Sequence, residues 1–265
     1  MDSQQPPLRP RGRREKIMHL TNERGVASVE EFAEQFGVTA STIRRDLAQL
    51  STSGRLARTY GGAIPVHDAA EPSLLARGAI AYEAKALIAA WAARQIEPGE
   101  AVLLDAGTTV ALIARNLPVN AELSVTTPSL AAIKQVHGRD DLVVHCLGGR
   151  LRPLSDSFVG PATAAALERI SFDVAFLGAD GVLSNGEICE AEPEQTQLKE
   201  LMASRSRRVF VVVHSVKLGF QPFRFSARLD CEWTLVTDAG ASDEILAEFR
   251  ANGREVVVVP DESDE

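Results

Sequence analysis

Cysteine is scarce in this chain of 265 residues: Cys146, Cys189 and Cys231 stand far apart and form no CxxC pair. That pattern excludes a disulfide scaffold and offers no thiolate metal site, so the three are read as reduced thiols and neither metal nor cofactor is expected. Long apolar runs are missing as well. Nothing approaches the ~18 uninterrupted apolar residues of a membrane helix, and stretches such as Val209 to Val213 and Val256 to Val259 have the length of buried strands. Met1 to Arg14 carries prolines and arginines around no apolar core, unlike a secretory signal, so the expected compartment is the cytoplasm, without membrane contact. Basic charge is in overall deficit, with a net −8, while 45% hydrophobic and 24% charged residues exclude disorder and allow one or two buried cores.

The deficit is unevenly placed. The first 60 residues hold ten Lys or Arg against seven Asp or Glu, a surplus of three, so the remainder carries a deficit of eleven. A basic head on an acidic body points to one segment that seeks polyanions and a larger one that does not.

That head reads as short helices followed by an extended element. Met1 to Gly12 is an expected disordered tail. Ile17 and Leu20 give an apolar stripe within Gly12 to Glu23, closed by Gly25. Ser28 and Glu31 have capping-box spacing, and Val29, Phe32, Ala33 and Phe36 fall on one helical face. Gly37 breaks that helix. Thr39 then caps a third, whose Ile43, Leu47 and Leu50 share a face, and Gly54 stops it. Two amphipathic helices around a glycine-containing turn make a helix-turn-helix at about 30–49. With Ile43 and Leu47 inward, Ser41, Thr42, Arg44 and Arg45 project outward, where a recognition helix meets bases and phosphates; Asp46 is expected on that exposed side, orienting an arginine. The stretch from Arg55 to Gly62 alternates and turns like a wing, placing Arg58 and Tyr60 with Thr39 among the expected DNA contacts. A small helical bundle with solvated arginines is the competing account of this segment alone. The winged domain is set at 13–62, a linker containing Pro65 and Pro72 at 63–74, and a larger domain at 75–260.

Beyond about Glu83 helices alternate with Val- and Leu-rich strands, so the expected class is α/β with a mostly parallel sheet covered on both faces. Ligands of such sheets bind at the carboxyl ends of strands. Here those ends carry Asp105-Ala-Gly107-Thr108-Thr109 leading into a helix, then Thr126-Thr127-Pro-Ser129, Gly148-Gly149-Arg150 and Gly178-Ala-Asp180-Gly181, with Lys217 after the fifth strand. Unpaired backbone N–H groups and hydroxyls at helix starts make anion cradles, and a cation can close over a phosphate. Glycine and threonine also cap helices for purely structural reasons; their recurrence on successive strands favours a polar, phosphate-bearing ligand.

Phe32 to Leu50 (FAEQFGVTASTIRRDLAQL), Arg58-Thr-Tyr-Gly-Gly-Ala63, Asp105-Ala-Gly-Thr-Thr109, Thr126-Thr-Pro-Ser129 and Leu147-Gly-Gly149 together resemble the DeoR family of bacterial transcriptional regulators. The similarity runs from about Arg13 to Val259, and Thr42-Ile-Arg-Arg-Asp-Leu47 is its most specific part. Members are mostly repressors of sugar or nucleoside catabolism genes, with a C-terminal sensor domain similar to ribose-phosphate isomerase. The resemblance implies a double-stranded DNA operator and a phosphorylated sugar effector as partners. It assigns Ser41, Thr42, Arg44 and Arg45 to DNA, and Asp105, Gly107, Thr108, Thr109, Thr126, Ser129, Gly148, Gly149, Asp180 and Lys217 to the effector pocket, where Thr127 and Arg150 are also expected. Lys85 matches a family lysine at the start of the sensor's first helix. So few basic residues on one head bind weakly at physiological salt, hence an expected homodimer or homotetramer.

One departure stands out: the family reads Asp-x-Ser-Lys before a glycine, and this chain has His214-Ser-Val-Lys217. Either a neutral imidazole replaces a carboxylate at the pocket edge and makes effector release pH-sensitive, or His214 packs at a strand end. Glu187, Glu190, Glu192 and Glu194 read as a solvated acidic loop, or as acceptors of sugar hydroxyls. The rival function is a sugar-phosphate isomerase with an accessory DNA-binding head. Isomerases of the resembling fold place a lysine after that aspartate, whereas Val182 to Ile188 has none, so no enzyme activity is expected. A structural nucleoid protein fits poorly with an acidic chain and a ligand-shaped sheet.

Overall fold

The protein is described from a computed structural model covering residues 13, 14, 16, 17, 20, 27–52, 56–59, 62–65 and 71–261. The expected tail Met1 to Gly12, Gly54 and Tyr60 lie outside the described residues.

In the head, residues 13, 14, 16, 17 and 20 are helical. A two-residue strand β1 (Ala27–Ser28) leads into α1 (Val29–Phe36), whose Ser28 and Glu31 form the full reciprocal capping box. Gly37, at φ 61°, ends α1 in the left-handed region, and α2 (Ala40–Thr52) follows after Thr39 Oγ1 accepts from the Thr42 N–H at 3.3 Å. Ile17, Val29, Phe32, Ile43 and Leu47 make the core beneath them. Strands β2 (Leu56–Thr59) and β3 (Gly62–Pro65) form the antiparallel wing, and β1 adds a third strand by pairing with β3. The first residues of the expected linker therefore belong to the wing. Asp46 departs from expectation: it is buried, and its Oδ2 accepts from Arg13 Nε at 2.5 Å. It does orient an arginine, but one from the first helix.

The larger part begins with α3 (Leu74–Ala79) and α4 (Tyr82–Ala93). Then come β4 (Ala101–Leu104), α5 (Thr108–Arg115), β5 (Leu123–Thr127), α6 (Leu130–Val136), β6 (Leu142–Cys146), the hairpin β7 (Arg150–Arg152) and β8 (Ser157–Val159), and α7 (Pro161–Leu167). The chain continues through β9 (Phe172–Leu177), β10 (Gly181–Val182), β11 (Glu187–Glu190), α8 (Pro193–Ser204), β12 (Ser206–Val212), a 3-10 turn at Ser215–Lys217, β13 (Phe225–Arg228), β14 (Thr234–Asp238), α9 (Asp243–Ala251) and β15 (Glu255–Val259). Seven strands form one parallel sheet in the order β15-β14-β12-β9-β4-β5-β6. Alternate residues serve opposite cores: Val102, Leu104, Val174 and Phe176 pack with α4 and α5, while Leu103, Ala175 and Leu177 pack with α8 and α9. That two-sided burial is why these strands read as unbroken apolar runs.

Strand order places the site. From β4 the chain winds outward through β5 and β6, then returns to β9 on the other flank of β4. The carboxyl ends of β4 and β9 therefore bound the crevice at which connections diverge in opposite directions. The β7–β8 hairpin and the antiparallel sheet β10-β11-β13 are two to four residues per strand. Strands this short give no readable alternation in sequence.

Candidate ligand-binding cleft and nucleic-acid interface

The crevice between β4 and β9 is a cleft. Its floor is the loop from Asp105 to Thr109 and the loop from Gly178 to Asp180; Glu190, Lys199, Lys217, Arg77 and Ser157 close its sides. The two loops touch so closely that a Cβ on Gly178 would stand 2.8 Å from the Ala106 carbonyl oxygen. Gly107, at φ 131°, starts α5 with no side-chain cap, so the first N–H groups of that helix open onto the cleft with the positive end of its dipole. Thr108 and Thr109 stand beside them.

Charge in the cleft is dense and balanced, with Arg77, Lys199 and Lys217 against Asp105, Asp180 and Glu190. Lys199 is buried and donates to Asp105 Oδ2 at 2.5 Å and to the Gly178 carbonyl at 2.7 Å, with Glu190 Oε1 at 3.0 Å. Burial pulls its pKa down, but Asp105 and Glu190 outweigh that and hold the ammonium above the ordinary lysine range. Asp105 is held in turn by the N–H groups of Ala106 and Gly178, at 2.7 and 3.2 Å. Burial drives Glu190 up to about 8, helped by Asp180 and Asp105 and opposed by Lys199. Lys217 donates to the Ala179 carbonyl at 2.5 Å, and burial lowers its pKa against the pull of Asp180. Behind the cleft, Lys85 donates to the Arg77 carbonyl at 2.6 Å and is lowered to about 8 by burial and by the charges of Lys217 and Arg77.

Of the residues expected at a pocket, Asp105, Gly107, Thr108, Thr109, Asp180 and Lys217 come together here. The end of β5 reaches it only through Pro128, and the end of β6, the outermost strand, does not line it. Thr126 is buried; Thr127 Oγ1 accepts from the Ser129 N–H at 3.0 Å, and Ser129 Oγ accepts from the Ala132 N–H at 3.2 Å, capping α6. The Gly148 carbonyl accepts from Thr163 at 2.8 Å, and a Cβ on Gly149 would strike Thr163 Oγ1. Arg150 is exposed and paired with Glu192 and Glu194.

The acidic stretch is not a solvated loop: Glu190 is buried, Glu192 and Glu194 pair with Arg150, and Glu187 pairs with Arg228. His214 stands at the head of the 3-10 turn with its side chain mostly buried, its Nε2 3.9 Å from Asp238 Oδ1 and its pKa lowered by burial. It does not line the cleft. Asp238 holds the turn instead, accepting from the Ser215 N–H at 2.7 Å and Ser215 Oγ at 2.8 Å.

Arg77 and Lys199 escaped the sequence reading, while Glu190, one of the two readings of the acidic stretch, does line the cleft. A signal existed for one of them: Thr196, Lys199 and Ala203 follow helical spacing on the buried face of α8, and a lysine in such a stripe needs a partner.

On the head, Thr39, Ser41, Arg44 and Arg45 are exposed and Thr42 is half-buried, grouped at the start of α2 opposite the buried Ile43 and Leu47. Thr39 Oγ1 lies 2.9 Å from Ser41 Oγ and 3.0 Å from Thr42 Oγ1, a hydroxyl cluster beside two guanidinium groups. Arg58 falls on β2.

Two family models match this chain. The DeoR-like helix-turn-helix domain matches residues 13–69, and the DeoR C-terminal sensor domain matches residues 80–239. Similar relatives include the HTH-type transcriptional regulator GlpR of Haloferax volcanii, 30% identical over 94% of this chain and 97% of that one. The lactose phosphotransferase system repressor of Streptococcus mutans is 30% identical over 90% of this chain and 96% of its own length. The glycerol-3-phosphate regulon repressor of Escherichia coli is 30% identical over 77% and 81%.

Proposed function

This chain belongs to the DeoR family of DNA-binding transcriptional regulators, and on that premise we propose that it is a cytoplasmic repressor of carbohydrate catabolism genes, released from its operator by a phosphorylated sugar. The observation that carries the reading is the cleft at the β4–β9 divergence, where an uncapped helix N-terminus and cationic side chains meet carboxylates on the same chain as a winged helix-turn-helix. A phosphate matches the free N–H groups of α5, and sugar hydroxyls match carboxylate acceptors.

Two heads of a homodimer or homotetramer engage paired half-sites, and linking the contacts raises the apparent affinity. Release requires that the sugar phosphate bind a form unfit for the operator more tightly than the DNA-bound form. Turnover of the sugar is not part of this reading. An enediolate needs a free cation for its oxyanion, and Lys199, buried in the cleft, is committed to Asp105, Glu190 and the Gly178 carbonyl.

The test is an electrophoretic mobility shift on DNA from the protein's own promoter region, with and without ribose 5-phosphate, fructose 6-phosphate and glycerol 3-phosphate, beside an isomerase assay on the same compounds. Specific binding relieved by one compound without its turnover is the expected result. Absence of specific binding together with turnover overturns it.

A further inference from the structure

The short helix α3 and the residues just before it precede the matched sensor domain, which begins at residue 80. No fully buried residue fastens this segment: α3 has none, Leu74 is half-buried, and Leu75 is 88% exposed. Polar groups hold it instead, and they converge on the cleft. Arg77 donates from Nη1 to Asp180 Oδ1 at 3.0 Å and from Nη2 to the Leu154 carbonyl at 3.0 Å, with Glu71 Oε1 at 3.3 Å. Glu71 is itself clasped by Arg152.

At this ion pair two polar atoms are closed off from solvent without a hydrogen-bond partner among the described residues: Arg77 Nε and Asp180 Oδ2. The Asp180 side chain is 10% exposed, and both residues line the cleft. One orphan is a donor and the other an acceptor, on the two residues of a single contact. Buried groups of this kind find partners. A phosphate oxygen only accepts, so it satisfies Arg77 Nε and leaves Asp180 Oδ2 unmet; a hydroxyl both donates and accepts and so serves either atom.

We propose that Arg77 is a ligand-contacting, specificity-determining residue: with Asp180 it forms the hydroxyl-reading part of the cleft, next to the phosphate part at the start of α5. This rests on the sugar-phosphate reading above and adds to it. The pocket is completed by the segment that leads in from the DNA-binding wing, so an occupied cleft holds residues 71–79 more firmly than an empty one. Inorganic phosphate, which has no sugar hydroxyl, reaches the α5 end alone and leaves that segment as it was.

Titration calorimetry of the full-length protein with ribose 5-phosphate, fructose 6-phosphate, glycerol 3-phosphate and inorganic phosphate tests this, on the wild type and on Arg77→Lys. For the sugar phosphate that binds the wild type best, the substitution should weaken affinity by about tenfold or more, the size of a lost hydrogen bond to a charged group, while inorganic phosphate changes less than about twofold. Hydrogen exchange on the wild type alone supplies a second readout that does not depend on the variant folding: amides of residues 74–79 should slow with the sugar phosphate and not with inorganic phosphate. Equal sugar-phosphate affinity in the two proteins, an equal loss for both ligands, or exchange at 74–79 that is unchanged by the sugar phosphate overturns the role of Arg77. Failure of every sugar phosphate to bind the wild type overturns the effector reading itself, and this inference with it.

Discussion

Lys199 holds the greatest concentration of buried charge in the molecule's cleft, and its removal tests what that charge does. Lys199→Met leaves Asp105 and Glu190 facing each other without their shared cation. The expected loss is about 3–5 kcal/mol, as for other buried pairs broken on one side, read as a fall in the urea midpoint. An unchanged midpoint would show that the carboxylates have other compensation. Glu190 carries a separate signature. Its pKa is raised from 4.5 to about 8, so between those values the folded state keeps a proton that the unfolded chain has lost. Stability contributed by this group therefore falls as pH rises from about 4.5 to about 8. Glu190→Gln fixes the neutral form, so the variant should gain on the wild type steadily across that window in urea unfolding at several pH values. Parallel curves for the two proteins would remove Glu190 from the account.

Among the elements, the loop after β4 and the loop after β9 act as one unit because only hydrogen fits between Gly178 and the Ala106 carbonyl. Gly178→Ala forces the Asp105 to Thr109 loop away and misaims the start of α5. The expected outcome is loss of effector response with operator binding retained, measured by mobility shift with and without the inducing sugar phosphate. Retained response would mean that the loop yields without disturbing the helix start. The outer strand ends teach the complementary lesson. Thr127, Ser129, Gly148 and Gly149 have the same residue types as the β4 loop, yet their hydroxyls and carbonyls close local turns against α6 and α7. Helix starts need hydroxyls and tight turns need glycine wherever they occur, so residue type alone does not separate a ligand cradle from a cap.

At the scale of the whole molecule, reading DNA and sensing the effector are separable. Arg45→Ala should cost operator affinity by about 1–3 kcal/mol and leave sugar-phosphate binding intact. Lys217→Ala should do the reverse, keeping operator affinity and blunting release. A Lys217→Ala protein released at the wild-type inducer concentration would take the lysine out of the mechanism. How far this arrangement could be read in advance follows range of interaction. The capping box at Ser28 and Glu31, the stop at Gly37, the wing, and the doubly buried strands were legible because caps, turns and periodicity are set by neighbours a few residues away. Asp105, Gly107, Thr108 and Thr109 were legible for the same reason, as a strand end running into a helix start. Arg77 with Asp180, 103 residues apart, and Lys199 with Asp105, 94 apart, were not, since no local pattern records such a meeting. The sequence by itself determined the order of the helices and main-sheet strands and the basic face of α2. The tertiary structure alone decided that β4 and β9 lie side by side, hence which of several similar loops bound a cleft, and which charges are buried deeply enough to shift. Strand order and desolvation arise from contacts between distant segments, and those exist only once the chain has folded.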